Sequence, residues 1–167
     1  MEGLGTGAGD GVISHAHKDG LTQNTWLCTN PLSLLHQEEI SKGTFGSVRE
    51  TLMHLFAAEE GYVRALTGKI PTPRLADLTH FPGFDELRQR VKRSGEALIT
   101  FAERVEQEEL DKILHLDGGT YDAPVIIVVI QAIGHTIDHR SQIATLLSQQ
   151  GIESPDLDSW AYNDATY

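Results

Sequence analysis

The chain has one cysteine, Cys28, among 167 residues, which excludes an internal disulfide framework and any zinc site built from several cysteines. Basic side chains are scarce: 13 Lys and Arg stand against 24 Asp and Glu, a formal net charge of −11. No positive footprint for nucleic acid can be assembled from that balance. The longest apolar run, Ala123 to Ile130, is far short of the ~20 residues that cross a bilayer, so no membrane partner is expected. A serine-centred nucleophile elbow and a phosphate-cradling glycine loop are both missing. Cys28 has no basic neighbour in sequence to lower its pKa, which makes it a poor catalytic thiolate.

What is present reads as one globular domain. At 40% hydrophobic and 22% charged residues, the composition is that of an ordinary soluble protein, and the length suffices for a core without staples. Residues 1–21 are rich in Gly and polar residues and carry no apolar signal core. They are expected to form a disordered arm, in which His15 and His17 make a poor metal cage. The domain is then residues 22–167, and a cytoplasmic location is expected.

Helical periodicity organises that domain. From Asn24 to Ile40 the pattern is weak, with a helix expected to start near Pro31. Ser47-Val-Arg-Glu50 is a capping box, after which Val48, Leu52, Leu55, Phe56, Val63 and Leu66 recur at helical spacing up to Gly68. Residues 69–83, with three prolines, read as a loop. A third helix is expected from about Asp85 to Gln107, followed by a connection from Leu110 to Thr120 that Gly118 and Gly119 interrupt. The run Val125 to Ile130 is β-branched and favours a strand locally. Its apolar positions nevertheless continue at helical spacing through Ile133, Ile137, Ile143 and Leu147, a length that favours helix. Asp122 is the expected N-cap, Pro124 suits a first turn and Gly151 a C-terminal stop. The fully apolar first half predicts a helix buried on most sides, and the tail from Pro155 is expected to lie across the bundle end.

Three histidines then carry the chemistry. His135 and His139 lie one helical turn apart, about 40° around the axis and about 6 Å along it, a workable bite for one cation. His54 shares its helix face with Ser47, Thr51, Ala58, Gly61 and Ala65, all small, which suggests open space beside the imidazole. On the last helix Val128, Ala132, His135, His139, Gln142 and Leu146 form the facing stripe. Each histidine alone reads equally as a core residue satisfied by a hydrogen bond. Taken together they read as three neutral ligands that leave a coordination position open. Glu50, Glu59 and Asp138 are candidates for holding a ligand ring through its other N–H. No Glu-x-x-His pair of the di-iron bundles is present. His36, His80 and His115 fall in or near connections and are expected to face solvent.

The segments Thr44-Phe-Gly-Ser-Val-Arg-Glu-Thr-Leu-Met-His54 and Gly134-His-Thr-Ile-Asp-His-Arg-Ser-Gln-Ile143 resemble the DinB/YfiT-like superfamily. So do Gly151, Pro155-Asp-Leu-Asp158 and Tyr162. The likeness extends from about residue 22 to 162. It implies an all-α, four-helix up-down-down-up bundle, a homodimer, and a divalent metal ion held by His54, His135 and His139. It further implies a thiol-dependent transferase or isomerase that takes a small-molecule thiol and an electrophilic substrate. Zinc or nickel is the first expectation for the metal, with iron or manganese next, since imidazole suits several divalent ions.

In that scheme the ion holds the thiol as thiolate, and Gln142 or Asp138 orients the ligand shell. A second reading keeps the site but activates water, as in a hydrolase using metal-bound hydroxide. A third is a non-enzymatic stress-response protein whose metal is closed in by a fourth protein ligand. Imidazoles must be neutral to bind, so affinity is expected to decline as pH drops through about 6.5.

Overall fold

The structure, a computed structural model, describes residues 46–69 and 71–154 together with Asp158, Trp160 and Asp164. The arm, the helix expected near Pro31, His36 and Cys28 lie outside the described residues, as does most of the tail. Among the described residues the architecture is all-α, with one small hairpin.

Helix α1, Val48–Thr67, starts where the capping box predicts. Ser47 Oγ accepts from the Glu50 amide at 3.3 Å, and the Ser47 amide donates to Glu50 Oε2 at 2.7 Å, so two otherwise orphaned donors are satisfied reciprocally. It ends at Gly68, whose left-handed backbone (φ +70°) lets its N–H reach Arg64 O at 2.8 Å.

Helix α2, Phe84–Ala102, stops short of the expected Gln107, and a separate turn of helix, α3, follows at Gln107–Leu110. The reason is electrostatic. Glu103, Glu106, Glu108 and Glu109 would crowd the negative end of the helix dipole with like charges at i,i+3 spacing.

The connection to the last helix holds a hairpin that periodicity did not reveal. Strands β1, Ile113–Leu116, and β2, Tyr121–Pro124, pair antiparallel with His115 opposite Asp122. Asp117, Gly118 and Gly119, all at positive φ, make the reversal. Asp122 is therefore not an N-cap: its carboxylate accepts from His115 Nδ1 at 2.7 Å across the strands. Helix α4, Val125–Gln149, starts after Pro124, and its first amide is satisfied by Lys112 O at 2.9 Å. At the far end Gly151 (φ +71°) donates to Ser148 O, and Ile152 donates to Leu147 O. This double closure puts Ile152 against the core.

The core sits where α1 meets α2 and α4. Leu52, Leu55, Phe56, Leu87, Val91, Ile143 and Leu147 are fully buried there. A second correction concerns α4. It is not enclosed on most sides, because Ile127, Ile130, Ile133 and Ile137 are exposed. Trp160 is exposed too, rather than packed on the bundle.

A buried polar knot joins α1, α2 and the proline-rich loop. Arg90 Nη1 donates to Glu60 Oε1 at 2.8 Å and to Pro73 O at 3.1 Å, while Arg90 Nε donates to Glu86. The other oxygen of Glu60 accepts from the Leu75 amide at 2.7 Å. Both Glu60 and Arg90 are buried, so removing either leaves a charge without its counter-ion. Glu60→Ala is expected to cost about 3–5 kcal/mol, read as a lower urea midpoint at unchanged slope. A loss below about 1 kcal/mol would show that water reaches this pair.

Candidate metal centre

Backbone geometry brings the three histidines together. His54 sits in the second turn of α1, and His135 and His139 sit mid-way along α4, the helix on which α1 packs most extensively. His54 Nε2 lies 3.1 Å from His135 Nε2, which in turn lies 3.2 Å from His139 Nε2. All three ligand atoms fall within 4.8 Å of one another. The ring centroids lie 4.3–5.1 Å apart with steep tilts between the planes.

One proton cannot serve these contacts. His139 Nδ1 faces Gln142 Oε1 at 2.9 Å, which makes Nδ1 the donor and turns the Nε2 lone pair to the cluster. A proton on His135 Nε2 can be donated to only one of its two neighbours. A shared cation resolves the conflict. Four donors at ~2.0–2.1 Å from one tetrahedral ion lie about 3.3 Å apart, close to the 3.1 and 3.2 Å spacings of the two pairs that share His135, while all three donors fall within 4.8 Å of one another. The donor set thus fits a divalent metal ion.

Electrostatics agree. Burial, then the nearby His139, lowers the pKa of His54. His135 is pushed down to about 4 by burial first, then by His139 and His54, against a small opposing effect of Asp138. Both rings are therefore neutral near pH 7, the form that ligates.

The chain matches the family model described as "DinB family" over residues 25–167. It belongs to the DinB family. It is also similar to Protein DinB of Bacillus subtilis (strain 168), with 25% identity over 141 residues, covering 79% of this chain and 80% of that relative.

Seen as a DinB protein, the chain assembles some of the expected site residues and not others. The histidine cluster forms, and Gln142 orients His139. Asp138 is exposed and acts on His135 through charge alone. Glu50 belongs to the capping box, and Glu59 is buried and accepts from Ser94 on α2. His80 and His115 are exposed, as expected.

The small-residue face of α1 does open onto space. A Cβ added at Gly61 would meet nothing within 4 Å, and Ala58 and Ala65 are only half-buried. Tyr62 was not anticipated. Its ring lies 5.8 Å from that of His135, nearly perpendicular, beside the buried His135 Nδ1, which has no hydrogen-bond partner among the described residues. No spacing within α1 signals it, because the approach is made between two helices.

In metal-free protein these shifts have a stability consequence. His54 and His135 have folded pKa values below the ~6.5 of the unfolded chain, so the unfolded state binds more protons between about pH 6.5 and 4. Their contribution is present above about 6.5 and is lost as pH falls toward about 4. The urea midpoint of metal-free protein should drop across that window, and His135→Gln should flatten the drop. A wild-type midpoint that does not move would contradict the burial of these rings.

Proposed function

We propose that this chain is a metal-dependent thiol transferase or isomerase, with His54, His135 and His139 as the metal ligands. The observation that carries the reading is the convergence of three Nε2 atoms, two of them on rings held neutral. A bound divalent ion would supply Lewis acidity, enough to keep a coordinating thiol deprotonated at neutral pH.

The chain's own residues prepare the site for that chemistry. Gln142 holds the His139 ring with its lone pair inward. Leu55 and Leu146, both buried, belong to the core beside the cluster. The open face along Ala58 and Gly61 leaves room for an electrophile beside His54. A nucleophile from outside also suits the local inventory. Thr51, the hydroxyl nearest His54 in sequence, is buried and donates to Ser47 O at 3.0 Å. Among the described residues no fourth His, Cys, Asp or Glu joins the cluster, which weighs against a closed structural site and leaves a position for substrate.

The finer expectations belong to the same proposal. The helix near Pro31 would complete an up-down-down-up bundle, the protein would be a cytoplasmic homodimer, and the ion would be zinc or nickel before iron or manganese.

Metal analysis of the purified full chain is the first test. One equivalent of a divalent ion is expected, reduced at least about tenfold in His135→Ala; unchanged stoichiometry in the variant ends the proposal. Activity is the second. Loaded protein should consume an electrophile only when glutathione, mycothiol or bacillithiol is supplied, while ester, amide and phosphoester panels without thiol stay inert. Turnover in the second panel alone would assign the site to water activation instead.

A further inference from the structure

Tyr62 brings a hydroxyl to the histidine cluster. Its ring is half-buried on α1 and lies 5.8 Å from the His135 ring, at an interplanar angle of 77°. The hydroxyl is hydrogen-bonded to Gln131, an exposed residue one helical turn before His135 on α4. That contact favours the ionised phenol, so the Gln131 amide donates and the phenol oxygen accepts. Among the described residues Gln131 is the only polar partner of this hydroxyl. The oxygen is thus held from the neighbouring helix while its own O–H remains to be given to something else.

The other hydroxyls close to the ligands in sequence are spent on the backbone. Thr51 Oγ1, one turn before His54, donates to Ser47 O at 3.0 Å. Thr136 Oγ1, next to His135, donates to Ala132 O at 2.8 Å. Between His54 and Tyr62 on α1 stand Ala58, half-buried, and Gly61, where a Cβ would meet nothing within 4 Å. No bulky side chain of that face separates the phenol from the cluster.

We infer that Tyr62 is a catalytic residue, donating a hydrogen bond to the oxygen on which the electrophile gathers negative charge as the thiolate attacks. This role rests on the proposed thiol chemistry. It narrows the substrate class to electrophiles whose displaced electron pair ends on oxygen, over those that expel halide. With an enone, the S–C bond forms at the β-carbon as the C=C π bond breaks, and the electron pair moves to the carbonyl oxygen. Tyr62 stabilises that enolate. The proton lost by the thiol then returns through water to the α-carbon, giving the ketone adduct with nothing else consumed. A donor fixed in place before reaction needs no reorganisation, and removing one such donor costs about 10²–10³ in rate. A departing halide takes its charge away from the phenol and gains less from it.

Wild type and Tyr62→Phe are compared as full, metal-loaded chains, with glutathione, mycothiol and bacillithiol supplied in parallel. Benzylideneacetone, an enone, and benzyl chloride serve as electrophiles of similar apolar body. Loss of the hydroxyl should lower the ratio of kcat/KM for the enone to that for the chloride by about a hundredfold, at wild-type helicity and metal content. A merely structural role would lower both alike, and an unchanged ratio overturns the inference. A second readout needs no turnover. The saturated ketone benzylacetone should bind wild type with its infrared carbonyl band moved to lower wavenumber, a shift that disappears in Tyr62→Phe. A ketone that does not bind, a band unshifted in wild type, or a shift that survives in Tyr62→Phe would each overturn the inference too. Turnover with an unchanged ratio ends the role of Tyr62 alone; no turnover with any thiol ends the proposed function and this role together.

Discussion

Everything chemical in this molecule depends on the packing of α1 against α4. His54 and His135 are 81 positions apart in sequence, and no local preference brings His54 to the His135–His139 pair. What does is the apolar contact flanking them, where Leu52, Leu55 and Phe56 from α1 enclose a core with Ile143, Leu146 and Leu147 from α4. Each such side chain contributes about 1.5–3 kcal/mol on full burial. Clustering imidazoles with unmet hydrogen-bonding atoms costs about 1–3 kcal/mol per atom, and His135 Nδ1 is one such atom. The apolar sum is several times larger, so the fold can hold the cluster in a geometry that suits a cation better than it suits protons.

The polar knot around Glu60 plays a different part. It adds little net stability, because burying an ion pair costs nearly as much as the attraction returns. Its geometric effect is larger: one carboxylate reads α2 through Arg90 and the loop through the Leu75 amide. The proline-rich segment is thereby set against α1 on the side away from His54.

Features governed by local chemistry could be read directly from the residues. The capping box at Ser47, the stop at Gly68, the glycine closure at Gly151 and the helical facing of His135 with His139 each need only a few consecutive residues. Their energies are set within one or two turns. The misreadings share an opposite cause. Asp122 has the right residue type for an N-cap, yet pairing with His115 across the hairpin competes for the same carboxylate. Asp138 stands next to His139 in sequence but is exposed, whereas Gln142, three positions on from His139, shares its face. Tyr62 reaches His135 only because two helices meet, which no spacing within α1 encodes.

The β-branched start of α4 brings these threads together. Val125 to Ile137 carries apolar side chains nearly all round, a pattern equally compatible with a strand, with a helix sunk in a core, and with a helix shared between two surfaces. Length excludes the strand. Exposure of Ile130, Ile133 and Ile137 excludes the sunken helix. Val128 and Ala132 turn the buried side of the helix inward, while the isoleucine stripe is left exposed among the described residues. Periodicity reports that a face is apolar but not what lies against it.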